Sequence, residues 1–192
     1  MNVVLVGFSG TGKSSVGRAL AKQIGWEFVD TDAEVERAAG KRIHEIFAEE
    51  GEGAFRRLER EALRDALSRP QRVVAVGGGA VVDPANRALL REGNLVVLLE
   101  AGVDAIHARL ERAAAQEPRP MLGLGVGGES RSVADPRARI GHLKAARDPH
   151  YREIAGMVVA TDETGVEEVA RLVAKAVERH LAAPGGPGEG SR

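Results

Sequence analysis

The sequence contains no cysteine, so neither disulfide bonds nor a thiolate zinc site can contribute to this protein. Its five histidines are scattered and show no H-x-x-x-H or comparable ligand spacing. Charges of the two signs nearly cancel, because 27 Lys and Arg face 28 Asp and Glu and the formal net charge is −1. This balance provides no basic field for nucleic acid or a membrane surface. We therefore expect small-molecule partners, and neither nucleic acid nor a membrane among them.

Long apolar runs are also missing, since no stretch approaches the roughly eighteen residues of a membrane-spanning helix. The N-terminus enters an apolar strand pattern without a charged leader, so we expect a cytoplasmic protein. A length of 192 residues suits one domain with a sizeable core, and we expect a monomer. We assign that domain to residues 1–183. Residues 184–192 are rich in Pro and Gly and are predicted to form a disordered tail.

The stretch that organises the chain is GFSGTGKS at residues 7–14, which matches G-x-x-x-x-G-K-[ST]. It lies between an apolar run at residues 3–6 and a helical pattern at 13–24, as expected for a strand, a phosphate-binding loop and a helix. A plain Gly-rich turn with a solvated lysine is the alternative. The loop predicts nucleoside triphosphate binding, with any metal arriving with the nucleotide. The predicted phosphate-binding residues are Gly10, Thr11, Gly12, Lys13, Ser14 and Ser15, and the Ser14 hydroxyl is suited to Mg²⁺.

Asp30-Thr31-Asp32 follows a second apolar run at residues 26–29, which places two carboxylates at the carboxyl end of a predicted strand. In an open α/β sheet that edge is where ligands bind. Asp32 is therefore a candidate for catalysis. The alternative is that Asp30 and Asp32 only cap a helix that begins near Ala33, since aspartate is a favoured N-cap residue.

Residues 33–68 are predicted to form a helical insertion that breaks at Gly40 and near residues 51–53. Arg56 lies within it and, taken alone, could be an ordinary solvated residue. Gly77-Gly78-Gly79 follows a third strand at residues 72–76 and allows close approach of a ligand to backbone N–H groups, or forms a flexible turn.

Two further strands are predicted at residues 95–99 and 157–160, with helices at 84–91, 103–115 and from 136 and 166 onward. Residues 116–137 contain Arg119 between two prolines, followed by a Gly-rich segment. Their place between two helices suggests a lid, although a disordered surface insertion fits the composition nearly as well. Together the pattern predicts five strands alternating with helices, as in an open α/β sheet.

These motifs, taken in order, resemble the shikimate kinase family over about residues 2 to 180. The resemblance lies in residues 7–14, Asp30-Thr31-Asp32, Phe55-Arg56-Arg57-Leu58-Glu59, Gly77-Gly78-Gly79, Arg119-Pro120-Met121-Leu122 and Arg147-Asp148-Pro149-His150-Tyr151. The chain departs from the family pattern at His150, where leucine is usual, and in a Gly-rich extension of the lid at residues 123–128.

The resemblance implies a three-layer α/β/α fold on a five-stranded parallel sheet, with a shikimate-binding helical insertion and a lid. It also implies a P-loop kinase that uses ATP and Mg²⁺ to phosphorylate the 3-hydroxyl of shikimate in aromatic amino-acid biosynthesis. It implies catalytic roles for Lys13, Asp32 and Arg119, with Asp32 also near the metal through water. Shikimate would be held by Asp32, Arg56, Gly78 and Arg147. Arg119 would reach the transferring phosphate from the lid, and Arg109 would lie against the adenine.

Two other classes of function remain open from the residues. A kinase for gluconate or a nucleoside monophosphate would share the phosphate loop, and gluconate also carries a carboxylate and hydroxyls. An ATP-dependent regulatory module would share the loop without an acceptor reaction. Such a module would not need Asp32 and several arginines beside the γ-phosphate.

Overall fold

A computed structural model describes residues 1–116 and 135–182 of the chain. Most of the predicted lid, including Arg119, and the predicted tail at 184–192 lie outside the described residues. No helix within the described residues is long and apolar enough to cross a membrane.

Five parallel strands form one sheet in the order β2-β3-β1-β4-β5. The strands are β1 (Val3–Val6), β2 (Glu27–Asp30), β3 (Arg72–Ala75), β4 (Leu95–Glu100) and β5 (Met157–Ala160). In the centre, Val3 of β1 is in register with Val73 of β3 and with Leu95 of β4. These three strands are apolar almost throughout, as expected for parallel strands covered on both faces.

Helices cover both faces of this sheet. They are α1 (Lys13–Ile24), α2 (Thr31–Ala39), α3 (Ile43–Glu49), α4 (Gly51–Leu67), α5 (Pro84–Arg91), α6 (Val103–Gln116), α7 (Pro136–Ile154) and α8 (Val166–Ala182), with a short 3-10 helix at Ala80–Val82. Side chains of β1 alternate between the faces: Val3 and Leu5 pack with α1 and α8, whereas Val4 and Val6 belong to the core under α4, α5 and α7. The predicted three-layer α/β/α fold is confirmed.

The predicted helical insertion forms α2, α3 and α4, which share a small core of their own. Val35, Ile46 and Phe55 are buried there, and the rings of Phe47 and Phe55 lie 4.6 Å apart. The insertion therefore has a hydrophobic core of its own, separate from the cores on the two faces of the sheet. Its helix α4 carries Arg56 toward the site.

Helix α2 begins two residues earlier than predicted. The Asp30 carboxylate accepts a hydrogen bond from the Asp32 N–H at 3.1 Å and caps the helix, so that α2 starts at Thr31. Asp30 is thus the N-cap, and the alternative interpretation of Asp32 as a cap is wrong. Asp32 lies in the first helical turn, with its carboxylate free for other contacts.

Candidate active site

The phosphate-binding loop, residues 7–14, connects β1 to α1 at the carboxyl edge of the sheet. Helix α1 begins at Lys13 with Gly12 as its N-cap, and Gly12 has a φ of 92°. This left-handed conformation is costly for residues with a Cβ, which explains the glycine. The N-terminus of α1 therefore lies at the loop, where the free backbone N–H groups and the helix dipole favour binding of an anion. The Thr11 side chain is buried and donates to the Phe8 carbonyl at 2.9 Å, which closes the loop.

Lys13 lies over this loop. Its Nζ donates to the carbonyls of Gly7 at 2.8 Å and Phe8 at 3.0 Å. Burial lowers the pKa of Lys13 to about 8, although Asp32 and Asp30 oppose that shift, and the nearby Arg147 lowers the pKa further. Two carboxylates and one guanidinium thus act on the same ammonium group.

Ser14 contacts Asp30. Its hydroxyl donates to Asp30 Oδ2 at 2.6 Å, and the other carboxylate oxygen of Asp30 caps α2. The sequence-based interpretation paired Ser14 with Asp32 around a metal, whereas the structure places Asp30 in direct contact with Ser14. A hydroxyl and a carboxylate oxygen are hard donors of the type that Mg²⁺ prefers, so this pair fits the cation. Within residues 1–116 and 135–182, no group of three or more His, Asp or Glu side chains could hold a metal ion by itself.

Asp32 lies against Gly77, where an added Cβ would clash with its Oδ1 atom. Burial raises the pKa of Asp32 from 3.8 to about 6, the Asp30 carboxylate adds to the rise, and Lys13 opposes it. A carboxyl group with this pKa is mostly ionised at neutral pH and can accept a proton. Asp32, Asp30 and Lys13 therefore form one electrostatic cluster beside the phosphate-binding loop.

Arg56 reaches the site from α4. Its Nη1 donates to Glu59 at 2.8 Å, and a second pair joins its Nη2 to Glu52 at 3.3 Å. Glu59 is only 2% exposed, and burial raises its pKa against the opposing effect of Arg56. An added Cβ on Gly79 would lie 3.1 Å from Arg56 Nη1, so the guanidinium lies directly against the glycine turn.

Arg147 approaches the same turn from α7. Its Nη1 lies 3.5 Å from the Gly78 carbonyl, and its guanidinium carbon lies 5.6 Å from the centre of the Phe8 ring. An added Cβ on Gly78 would lie at an ordinary 3.4 Å from the Ser9 nitrogen. The turn at residues 77–79 thus contacts Asp32, the phosphate-binding loop and Arg56 through its successive glycines.

Arg109 of α6 lies on the other side of the phosphate-binding loop. Its Nη1 donates to the Gly10 carbonyl at 3.3 Å and to Thr161 Oγ1 at 3.0 Å, and its Nη2 donates to the Thr161 carbonyl. The Thr161 hydroxyl is within 3.2 Å of the Thr11 carbonyl. Arg109 therefore joins the loop after β5 to the phosphate-binding loop. Ser15, also predicted to bind phosphate, is exposed in the first turn of α1.

The family model for shikimate kinase matches residues 9–178 of the chain. The chain belongs to the shikimate kinase family. The shikimate kinase of Thermobifida fusca (strain YX) is 44% identical to it over 172 residues, which cover 90% of this chain and 92% of that protein. The structure of Acinetobacter baumannii shikimate kinase in complex with shikimate is 35% identical, with a TM-score of 0.80 and coverage of 95% of each chain.

A gluconokinase from Sinorhizobium meliloti 1021 has a TM-score of 0.56 at 18% identity and covers 93% of this chain and 91% of its own. This likeness shows the fold alone. The resemblance to the shikimate kinase family is thus confirmed, and with it the P-loop kinase fold and the use of ATP with Mg²⁺.

In this shikimate kinase family member, the structure brings most of the predicted site residues to one edge of the sheet. Five of them lie around the phosphate-binding loop and the glycine turn: Lys13, Ser14, Asp32, Arg56 and Arg147. Their individual roles stay predictions, as does the role of Arg119 outside the described residues.

Sequence reasoning missed the partners of these groups. The Ser14–Asp30 contact joins positions 16 apart, and the Arg109–Thr161 contact joins positions 52 apart. For Arg56 and Glu59, the spacing of three on a helix was a usable signal, because such residues are neighbours on the helix surface. No local pattern connects Arg109 with Thr161.

Proposed function

We propose that this chain transfers the γ-phosphoryl group of ATP to the 3-hydroxyl of shikimate, which gives shikimate 3-phosphate and ADP in the route to chorismate and the aromatic amino acids. The observation that carries the proposal is the grouping of Asp32 with Lys13 beside the phosphate-binding loop, with Arg56 and Arg147 both next to the glycine turn. Membership of the shikimate kinase family supports the same reaction.

The two arginines suit an acceptor that carries a carboxylate. A guanidinium presents donors in a planar fork that matches a carboxylate, and it remains charged at every relevant pH. We assign the shikimate carboxylate to Arg56 and Arg147. The Gly78 N–H would donate to the acceptor as well, since Gly78 lies close to the phosphate-binding loop.

Asp32 would orient or deprotonate the attacking hydroxyl. Its pKa of about 6 keeps the carboxylate ionised at neutral pH, yet close enough to neutrality for a proton to be shared during transfer. Phosphoryl transfer depends mainly on alignment and charge stabilisation, so a modest contribution from a base is sufficient.

The nucleotide phosphates would lie on the phosphate-binding loop, with Lys13 donating to them in place of its present carbonyl partners. When bound, Mg²⁺ neutralises charge on the phosphate oxygens. Ser14 and Asp30 would hold that cation, with Asp32 near it through water. Arg109 would lie against the adenine, and Arg119 would reach the transferring phosphate.

An ADP-release assay coupled to NADH oxidation tests the proposal with three matched reactions that contain shikimate, gluconate or no acceptor. We expect release that depends on shikimate, and at most background release in the other two. Equal ADP release with gluconate would indicate a kinase with a broader or different acceptor specificity, and ADP release without any acceptor would favour a regulatory ATPase. Either result would contradict the proposal. The monomeric state and the cytoplasmic location stay predictions.

A further inference from the structure

The glycine turn at residues 77–79 is in close contact with two of the charged groups of the site. Gly77 lies so near Asp32 that a Cβ there would clash with Oδ1, and Gly79 lies against the guanidinium of Arg56. A small shift of this backbone would therefore change the space available to both side chains. The turn needs a fixed position if Asp32 and Arg56 are to keep theirs.

Hydroxyl groups of two buried residues contact the turn from different helices. Thr31 Oγ1 accepts a hydrogen bond from the Gly77 N–H at 3.0 Å, and the Tyr151 hydroxyl donates to the Gly78 carbonyl at 2.5 Å. Thr31 and Tyr151 are each 1% exposed. One belongs to the first turn of α2 and the other to α7, so the turn is connected to the helical insertion and to the helix that carries Arg147.

We propose that Thr31 and Tyr151 are positioning residues that hold the glycine turn in place for the acceptor. The inference rests on the proposed function, because it assigns the turn to the binding of shikimate. Thr31 immediately precedes Asp32, so its hydrogen bond fixes Gly77 against the carboxylate that faces it. Tyr151 lies one helical turn after Arg147 and fixes the peptide group between Gly78 and Gly79.

The Tyr151 hydroxyl is needed because Arg147 is also proposed to bind the acceptor carboxylate. Among the described residues, the Arg147 guanidinium is the second donor near the Gly78 carbonyl, at the longer distance of 3.5 Å. When Arg147 binds the acceptor carboxylate, its fork turns toward that ligand, and the carbonyl depends on the tyrosine hydroxyl. The Gly78 carbonyl is partly buried, and loss of the tyrosine hydroxyl would remove its short hydrogen bond and let the turn move.

Hydroxyl groups that only complete the core would give a different kinetic result. Their loss would lower stability and reduce activity toward both substrates equally, because the fraction of folded protein would fall. Positioning of the turn predicts a selective effect on shikimate, since the ATP phosphates contact the phosphate-binding loop instead. The decisive quantity is therefore the ratio of the two effects.

The test uses Tyr151→Phe, which keeps the ring in the core, and Thr31→Val, which keeps the side-chain shape. For each variant we expect kcat/KM for shikimate to fall about fivefold to fiftyfold, while kcat/KM for ATP at saturating shikimate stays within about twofold. Thr31→Ser retains a hydroxyl and is expected to recover most of the loss. Thermal unfolding of each variant shows that the protein assayed is folded.

A second readout does not need the acceptor reaction. Amide hydrogen exchange at Gly77, followed by NMR in the substrate-free protein, should be at least about tenfold faster in Thr31→Val than in the wild type, because its buried acceptor is gone. Failure of the proposed function would appear separately, as a wild-type protein that does not phosphorylate shikimate but still protects Gly77.

Equal losses for ATP and shikimate, unchanged kinetics in both variants, or a Thr31→Ser variant as impaired as Thr31→Val would overturn the inference. If Tyr151→Phe does not fold, the comparison of Thr31→Val with Thr31→Ser decides. If Thr31→Val does not fold either, the hydroxyls are structural and the inference is wrong.

Discussion

Asp30 and Asp32 are two carboxylates separated by one residue that make different contacts. Asp30 accepts from Ser14 and caps α2, whereas Asp32 lies against Gly77. Asp32→Asn should lower kcat about 10²–10⁴-fold, the usual range for a general base, and leave ATP affinity within a few fold. Raising Mg²⁺ should not restore the rate.

Asp30→Asn is the matched comparison, because it removes the charge of the carboxylate that accepts from Ser14. We expect the loss of kcat in Asp30→Asn to become smaller as the Mg²⁺ concentration rises. Measuring kcat across a Mg²⁺ series for both variants separates the two roles. Wild-type turnover by Asp32→Asn at every Mg²⁺ concentration would show that this carboxylate has no part in the chemistry.

The pH profile should reflect two shifted groups of the free enzyme, which kcat/KM reports. Burial raises the pKa of Asp32 to about 6, and the ionised form is needed to accept a proton, so kcat/KM should fall as pH drops below 6. Burial lowers the pKa of Lys13 to about 8, and the protonated form is needed for the phosphates, so kcat/KM should fall above 8.

Bound phosphates favour the protonated lysine, so the alkaline limb of kcat should lie at higher pH than that of kcat/KM. Asp32→Asn removes the acid group and should remove the acid limb. An unchanged acid limb in that variant would assign it to another residue.

Arg56 and Arg147 are expected to act through the shape of the guanidinium as well as its charge. Lysine keeps the charge and spares Glu59 from being buried without a partner, but it lacks the planar fork. Arg56→Lys and Arg147→Lys should each raise KM for shikimate about 10- to 100-fold, and KM for ATP by no more than a few fold.

Two exposed arginines serve as controls: Arg57→Lys on α4 and Arg139→Lys on α7. Both should resemble the wild type in steady-state kinetics. A rise in KM for ATP as large as that for shikimate would mean that Arg56 and Arg147 bind the nucleotide or support the fold.

Helices α2, α3 and α4 depend on a small core that is separate from those beside the sheet. Ile46 is fully buried in it with Val35 and Phe55. Ile46→Ala should destabilise the protein by about 2–5 kcal/mol and raise KM for shikimate more than KM for ATP, because α4 carries Arg56. Urea unfolding and steady-state kinetics measure the two effects.

Leu90→Ala is the control, since Leu90 is equally buried in the core under α5. It should lower stability by a similar amount with little selectivity between substrates. If both variants change the two KM values alike, the insertion has no separate role in acceptor binding.

The elements themselves were largely predictable, for reasons that lie in particular residues. Strands β1 and β4 are continuous apolar runs, and Pro84 and Pro136 each occupy the first position of a helix, where proline is favoured. The predicted start of α2 is wrong by two residues, because the sequence does not show that the Asp30 carboxylate, and not that of Asp32, caps the helix. The 3-10 helix at Ala80–Val82 was missed, since three residues have no usable periodicity.

Across the whole molecule, the number and direction of the strands were predictable, but their contacts were not. The carboxyl edge of a parallel sheet was expected to collect the loops after β1, β2 and β3, and it does. The contacts that align the site join distant positions, as between Tyr151 and Gly78, which are 73 positions apart. Such pairs depend on how the helices pack on the sheet, which the local sequence does not encode.

The position of the phosphate on the product tests the central claim most directly. The protein would be incubated with ATP, Mg²⁺ and shikimate, and the product would be examined by phosphorus-31 and proton NMR. We predict one phosphorylated product, formed in equal amount to ADP, whose phosphorus couples to the ring hydrogen at the 3-position. Phosphorylation of another hydroxyl, or ADP release without phosphorylated shikimate, would contradict the proposed function.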